Sequence, residues 1–298
     1  KTSIGLRTAA ERAGCYRYQI VIAGVSTPDR GIGNIWRNGQ QSPLRQGARR
    51  RDALRWPARP PIRPWGSIVT TRIPESLRGI VEALKAEVAS LHAELPRNGL
   101  VVWTAGNVSA RVPGADLLVI KPSGVSYDEL TAEAMVVCDF DANLVEGSRS
   151  PSSDTAAHAY VYAHMPEVGG VVHTHSDYAT AWAARREPIP CVLTMIADEF
   201  GGDIPVGPFA LIGDDSIGRG IVETLRSSRS RAVLMANHGP FTIGSDARDA
   251  VKAAVMVEDV ARTVHFSRLL GEPVPIPQAD IDRLFDRYQN VYGQGSAK

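Results

Sequence analysis

Two of the seven histidines, His173 and His175, stand one residue apart in the segment VVHTHS. Alternate side chains of a β-strand point to the same face, so an extended VVHTHS places both imidazoles side by side. A third histidine, His238, follows another apolar run and precedes a glycine. Three neutral imidazoles suit Zn²⁺, or a similar divalent ion such as Mn²⁺ or Co²⁺, with one position left for substrate or a carboxylate. We predict a metal site here; packing of the histidines in a core is the alternative.

The segment PSSDTAAH, residues 151–158, combines hydroxyl side chains with an acid. Ser152 or Ser153 before Asp154 is typical of a helix N-terminus, where side-chain oxygens accept hydrogen bonds from free N–H groups. The same N–H groups and hydroxyls bind phosphate well, and Asp154 could reach a metal ion. This segment alone does not decide between a helix cap and a ligand site.

Two glycine-containing turns carry further polar groups. Gly106 and Asn107 lie between strand-like runs in WTAGNVSAR, and Lys121, Ser123 and Gly124 do so in IKPSGVS. As isolated sequences both are ordinary turns, because glycine adopts the backbone conformations that tight turns need. Their amide N–H groups, hydroxyls and single lysine would form a small anion site if the fold brought the turns together.

Two other side chains could transfer protons. Asp198 lies among apolar residues in MIADEF, and its carboxyl could give or take a proton there; a solvated surface acid is the alternative. Tyr292 lies near the C-terminus in RYQNVYGQ, where local sequence alone favours a packing role.

These residues need a scaffold of strands and helices. A helix is predicted to begin near Pro74, because the apolar residues from Leu77 to Leu91 recur at helical spacing. Further helices are predicted around residues 154–165, 176–186, 215–228 and 246–270. Short apolar strands are predicted in LVVWTAGNVSARV, ADLLVIKPSG, AMVVCDF, GGVVHTHS and AVLMANHGPFTIG. This alternation indicates one α/β domain, residues 69–298.

The N-terminal segment, residues 1–68, differs from the rest in charge. It holds 13 of the 33 basic and 3 of the 32 acidic residues, a net charge of +10, which leaves −9 for residues 69–298. The segment is rich in Arg, Pro and Gly and cannot bury enough apolar surface to offset its ordering entropy, so we expect it to be mostly disordered. A basic arm for nucleic acid or an anionic membrane, or a targeting peptide, would be functional interpretations. We favour a non-native extension, with Val69 as an alternative start.

Hydropathy and cysteine usage bear on location. No stretch approaches the roughly 18 uninterrupted apolar residues of a membrane span. The three cysteines, Cys15, Cys138 and Cys191, are scattered and show neither metal nor disulfide spacing, which fits a reducing setting. We therefore expect a cytoplasmic protein with no membrane or nucleic-acid partner.

Taken in order, GNVSA, IKPSGV, PSSDT, GGVVHTHSDYATAWA, HGPF and a terminal YGQ resemble the L-ribulose-5-phosphate 4-epimerases of the class II aldolase/adducin superfamily. The likeness runs from residue 74 to residue 294. It implies an α/β/α sandwich around a largely antiparallel central sheet, assembled as a homotetramer with active sites between subunits. The implied reaction interconverts L-ribulose 5-phosphate and D-xylulose 5-phosphate by retro-aldol cleavage and re-addition.

The resemblance assigns roles to the residues named above. His173, His175 and His238 would bind zinc, with Asp154 beside or on the metal. The residues that match the phosphate-binding turns are Asn107, Ser123, Gly124, Ser152 and Ser153. Lys121 lies near them in the sequence.

Asp198 and Tyr292 match the pair that exchanges protons on opposite faces of the substrate, the tyrosine arriving from a neighbouring subunit. The sister fuculose-phosphate aldolases share the metal chemistry but carry a glutamate where this chain has Asp154. That aspartate, Asp198 and the YGQ ending favour a 4-epimerase over an aldolase on a related sugar phosphate, which is the alternative. A non-catalytic adducin-like module is a third interpretation, against which the intact three histidines argue.

Overall fold

Eight strands provide the scaffold of the candidate site in the computed structural model, which describes residues 73–291. They are β1 (Asn107–Arg111), β2 (Leu117–Ile120), β3 (Val136–Asp139), β4 (Leu144–Glu146), β5 (Gly170–His173), β6 (Val206–Gly207), β7 (Ala232–Met235) and β8 (Gly239–Gly244). They form one sheet in the order β4-β3-β2-β1-β5-β8-β7-β6. Every pairing is antiparallel except that of β6 with β7. The prediction of a largely antiparallel central sheet is confirmed.

Helices cover both faces of this sheet. They are α1 (Arg78–His92), α2 (Glu94–Arg97), α3 (Thr155–His164), α4 (Asp177–Arg185), α5 (Thr194–Phe200), α6 (Ser216–Leu225), α7 (Ala247–Leu270) and α8 (Gln278–Asn290). In β2, Leu118 and Ile120 pack into one core with α3 and α6. Leu117 and Val119 point the other way, into a core with α1 and α7. This alternation builds the predicted α/β/α sandwich, since burying each such side chain contributes about 1.5–3 kcal/mol.

Four predicted helices are observed, whereas two of the predicted strand segments differ from the observed strands. The helices predicted around 154–165, 176–186, 215–228 and 246–270 are α3, α4, α6 and α7. AVLMANHGPFTIG is not one strand but the hairpin of β7 and β8, because the chain reverses at Asn237, which has φ 58°. LVVWTAGNVSARV becomes a strand only from Asn107, after a turn in which Trp103 and Gly106 have positive φ.

Other predictions fall on residues outside those described. The N-terminal segment lies there, and so does Tyr292. Within residues 73–291, no helix combines the length and the apolar character that crossing a membrane requires.

Gly170, at the start of β5, allows the strand to pass close to the beginning of α7. A Cβ atom at this position would overlap the backbone of Asp246 and Ala247, and backbone cannot move aside as a flexible side chain can. We expect Gly170→Ala to lower the free energy of unfolding by about 1–3 kcal/mol, the usual cost of overpacking. Urea denaturation of the two proteins measures this difference.

Gly79→Ala is the matched control, because a Cβ atom there meets nothing within 4 Å and the residue lies inside α1. The control variant should gain about 0.5–1 kcal/mol of stability from helix propensity. Equal stability of Gly170→Ala and the wild type would show that β5 and α7 are less closely packed than described.

Candidate active site

Three histidines converge at the end of β5. His173 is the last residue of β5, His175 lies between β5 and α4, and His238 lies in the turn between β7 and β8. One ligand nitrogen from each lies within 4.8 Å of the others, and the Nε2 atoms of His173 and His175 are 2.9 Å apart. The expectation that both side chains extend from one strand is wrong, because the strand ends at His173. The imidazoles nevertheless meet, which leaves the metal interpretation intact.

Neighbouring groups determine how these imidazoles are presented. Nδ1 of His173 lies 3.0 Å from the carbonyl oxygen of Pro240, so Nδ1 carries the proton and the Nε2 lone pair faces His175. The ring of Phe241 stacks on that of His173 with 4.1 Å between centroids. Burial lowers the pKa of His173 to about 3, and it also lowers the pKa of His175 and His238. All three are therefore neutral near pH 7, the form that binds metals.

Buried polar atoms without partners support a metal at this point. Both ring nitrogens of His238 and Oδ1 of Asp154 are buried and accept or donate no hydrogen bond within the described part of the chain. A buried polar group left unsatisfied costs about 1–3 kcal/mol, which a ligand would relieve. A divalent cation would take lone pairs from the imidazoles and neutralise the carboxylate. Three imidazoles with one carboxylate nearby fit Zn²⁺ and related ions.

Asn107 connects the histidine cluster to the segment PSSD. It pairs with His173 across β1 and β5. Its Nδ2 donates to Oδ2 of Asp154 at 2.8 Å and to Oγ of Ser152 at 3.0 Å. Asp154 occupies the N-cap position of α3, but its side chain makes no capping hydrogen bond. The segment is thus a helix N-terminus, as its residue types predict, and the carboxylate of Asp154 remains available to the site.

The turns predicted to bind phosphate lie together beside this cluster. Backbone hydrogen bonds join Ser123 N to Ser150 O at 2.9 Å and Ser152 N to Lys121 O at 3.0 Å. Gly124, next to Ser123, has φ +68° and open space around it. Ser123, Gly124 and Ser153 are exposed, so an anion in solution can reach them. That these residues bind phosphate stays a prediction. It requires the turns to lie together, and they do.

Lys121 provides a buried positive charge next to these turns. Its side chain is almost inaccessible to water, and Nζ donates to the carbonyl oxygen of Thr104 at 2.6 Å. Nζ also lies 5.1 Å from the ring centroid of Tyr127. Burial lowers the pKa of Lys121 to about 8, while the charge of Asp154 opposes that shift. The ammonium is thus protonated at pH 7 and attracts anions.

Of the two predicted proton-transfer groups, only Asp198 belongs to the described residues. Asp198 lies on α5, with Oδ1 3.7 Å from Nη2 of Arg287 on α8. Oδ1 is buried without a hydrogen bond among residues 73–291. The contacts described for Asp198 include none with the histidine cluster, and Tyr292 lies outside the described residues. Their roles therefore remain predictions.

Sequence reasoning missed several groups that hold the site residues, or the backbone next to them, by hydrogen bonds. The carbonyl of Pro240 orients His173, and a main-chain carbonyl has no sequence pattern by which to find it. The hydroxyl of Tyr127 donates to Ala105 O at 2.7 Å. His92 accepts the Val108 N–H at Nε2 over 3.0 Å and so holds β1 directly after Asn107.

The chain matches known proteins over most of its length. Residues 86–265 match the Class II Aldolase and Adducin N-terminal domain. The L-ribulose-5-phosphate 4-epimerase UlaF of Salmonella paratyphi B is 44% identical over 231 residues, which cover 72% of this chain and 100% of that protein. The protein of the same name from Salmonella typhi is 44% identical over 201 residues, covering 63% of this chain and 86% of that protein.

Solved structures share the architecture. An L-fuculose 1-phosphate aldolase superposes with a TM-score of 0.66 at 30% identity, covering 70% of this chain and 96% of that chain. YgbL from Klebsiella pneumoniae superposes with a TM-score of 0.61 at 29% identity, covering 68% and 98%. Sequence match, fold and histidine cluster agree: the chain belongs to the class II aldolase and adducin family, in the group that includes the L-ribulose-5-phosphate 4-epimerases.

Proposed function

We propose that this protein interconverts L-ribulose 5-phosphate and D-xylulose 5-phosphate by inverting carbon 4. The observation that carries the proposal is the junction between the histidine cluster and the phosphate turns, where Asn107 pairs with His173 and hydrogen-bonds to Ser152. Groups suited to a metal and groups suited to an anion thus stand side by side, as a metal-assisted reaction of a short phosphorylated sugar requires. The relatives named L-ribulose-5-phosphate 4-epimerase support this substrate.

The phosphate of the substrate would lie on the turns. Lys121 supplies positive charge, and the N–H and hydroxyl groups of the turns supply hydrogen bonds. The residues proposed for this contact are Asn107, Ser123, Gly124, Ser152 and Ser153. Binding by the phosphate keeps the far end of the sugar attached to the protein while a carbon–carbon bond is broken.

His173, His175 and His238 would hold a divalent ion, with Asp154 beside it or as a further ligand. We propose Zn²⁺, with Mn²⁺ or Co²⁺ as alternatives. When bound, such an ion acts as a Lewis acid on the sugar oxygens at C2 and C3. The chain contributes neutral imidazoles, one of them oriented by the Pro240 carbonyl, so no proton has to leave the ligands.

Carbon 4 bears no acidic hydrogen, so its inversion needs cleavage of the C3–C4 bond rather than simple deprotonation. One side-chain base takes the proton of the C4 hydroxyl as the bond breaks, which gives a three-carbon fragment and glycolaldehyde phosphate. The aldehyde, held by its phosphate, presents its other face, the bond re-forms and a second group returns the proton. Asp198 and Tyr292 are the proposed pair, the tyrosine supplied by a neighbouring subunit.

A tyrosine supplied by a neighbouring subunit requires an oligomer. We propose a cytoplasmic homotetramer built from the catalytic domain 69–298. Exposed large apolar side chains support subunit contacts, among them Trp103, which is 86% exposed, and Leu270, which is 94% exposed. Cys138 and Cys191 are buried free thiols, as a reducing compartment favours.

The test is conversion of L-ribulose 5-phosphate to D-xylulose 5-phosphate by metal-analysed protein, with and without a chelator. We expect conversion that the chelator abolishes and that added Zn²⁺, Mn²⁺ or Co²⁺ restores. Protein that carries the metal but forms no D-xylulose 5-phosphate would contradict the proposal.

An aldolase acting on a related sugar phosphate is the second candidate, favoured by the structural likeness to L-fuculose 1-phosphate aldolase. The two activities share the bond cleavage and differ in whether the fragments leave. Release of a free aldehyde and a three-carbon ketone in amounts matching substrate consumption would favour the aldolase.

A further inference from the structure

The backbone segment Thr104–Asn107, hereafter the Asn107 turn, is held by side chains from the neighbouring Lys121–Glu129 segment. Tyr127 donates its hydroxyl to the carbonyl oxygen of Ala105 at 2.7 Å, and Lys121 donates to that of Thr104 at 2.6 Å. Consecutive carbonyl groups of the turn therefore each accept a hydrogen bond from a separate side chain. Asn107, which follows them, is the residue that reaches both Ser152 and Asp154.

Close packing makes the shape of this turn matter to the site. Gly106 has φ +79°, and a Cβ atom there would lie 2.5 Å from Cγ1 of Val101 and 3.0 Å from the carbonyl oxygen of His173. The Asn107 turn thus lies against the end of the strand that carries the histidines. A displacement of the turn would move the Asn107 side chain relative to Ser152.

Tyr127 also lies next to Lys121 and His92, the two other side chains that hold this part of the backbone. Its ring lies below the Lys121 ammonium and 6.2 Å from the ring of His92, which accepts the Val108 N–H. Burial raises the pKa of the Tyr127 hydroxyl, so the group is a protonated donor near neutral pH. The ring packs, whereas the hydroxyl has a specific acceptor, and the two contributions can be separated by mutation.

We propose that Tyr127 is a positioning residue: its hydroxyl holds the Asn107 turn in the conformation that binds the substrate phosphate. The inference rests on the proposed phosphorylated substrate and adds a residue without contact to the reacting atoms. Loss of the hydroxyl weakens phosphate binding and leaves the histidine cluster and the bond cleavage unchanged.

Tyr127→Phe, in the full chain loaded with metal, tests this. Losing one neutral hydrogen bond should raise the dissociation constant of inorganic phosphate, measured by calorimetry, about 3- to 10-fold. The KM for L-ribulose 5-phosphate should rise by the same factor, while kcat changes by less than about twofold, since the lost interaction serves ground state and transition state alike. Metal content should equal that of the wild type.

Tyr160→Phe is the matched control, because Tyr160 stacks on His164 of the same helix and belongs to none of the turns. It should bind phosphate as the wild type does. Unchanged phosphate affinity in Tyr127→Phe, or a fall in kcat with unchanged KM, would overturn the proposal. A second variant, Tyr127→Leu, should bind phosphate more weakly than Tyr127→Phe, because it also removes the ring below Lys121; equal affinity would overturn the role of the ring as a support.

Failure of the proposed function gives a different result. Wild-type protein that binds inorganic phosphate but does not epimerise would contradict the reaction and leave the calorimetric comparison valid. Wild-type protein that binds no phosphate would overturn both.

Discussion

Replacing His175 with alanine is expected to remove the bound divalent metal and to reduce epimerisation by more than about 100-fold, since even the loss of a group that only orients a ligand costs 10–100-fold. His175 is one of three imidazoles whose ligand nitrogens lie within 4.8 Å of each other. Its removal takes away one of the three nitrogen ligands, and the methyl group of alanine supplies no lone pair in its place, so the affinity for the ion falls. Burial keeps the remaining two imidazoles neutral, so loss of the ion would report the missing ligand and not protonation of the others.

Metal content by mass spectrometry and the rate of D-xylulose 5-phosphate formation measure the two effects together. His265→Ala is the control, because His265 is exposed on α7 and its ring contacts only Tyr178 and Phe266 among the aromatic residues described. The control should keep one metal per chain and full activity. A His175→Ala protein with stoichiometric metal would disprove the three-histidine site.

The histidines could be found from sequence because two of them are close in the chain. The argument from strand periodicity selected His173 and His175, although His175 lies beyond the end of β5. The prediction survives this local error because the chain still lies beside β8 at Thr174, whose N–H donates to Pro240 O at 3.2 Å, and α4 begins only at Asp177. Glu258 of α7 accepts hydrogen bonds from the N–H groups of Tyr178 and Ala179 and so holds the start of α4. No local pattern announces such a contact.

The phosphate turns could be selected by residue type but not assembled. Each is an ordinary turn on its own, and only the long-range hydrogen bonds of Ser152 N to Lys121 O and of Asn107 to Ser152 bring them together. The family resemblance supplied this convergence in advance, because it carries information from related folds. Composition and periodicity carry no information about which turns lie together in the fold.

Three helices escaped prediction: α2, which has only four residues, and α5 and α8, which were missed for opposite reasons. α5, with seven residues, is too short to display helical periodicity, although Ile196 and Phe200 are fully buried. α8 has thirteen residues but buries only Ile281, so its pattern is polar on almost all sides. Asp198 lies on α5 and Arg287 of α8 lies beside it, which is why sequence alone could not say what surrounds that carboxylate.

Asp198→Asn is expected to lower kcat by about 100- to 10,000-fold, the usual contribution of a positioned acid or base, with metal content and phosphate affinity unchanged. Asparagine has nearly the same shape as aspartate and cannot take up a proton. The ion pair with Arg287 spans 3.7 Å, and the arginine side chain is half exposed. Its loss therefore costs only about 0–1 kcal/mol of stability, too little to unfold the protein.

Arg287→Gln separates catalysis from packing, because it removes the same ion pair and leaves the carboxylate in place. If Asp198 transfers the proton, Arg287→Gln should retain most of the kcat while Asp198→Asn loses it. Equal loss in both variants would assign the effect to the contact between α5 and α8. An unchanged kcat in Asp198→Asn would remove Asp198 from the mechanism, and another group would have to exchange the proton on that face of the substrate.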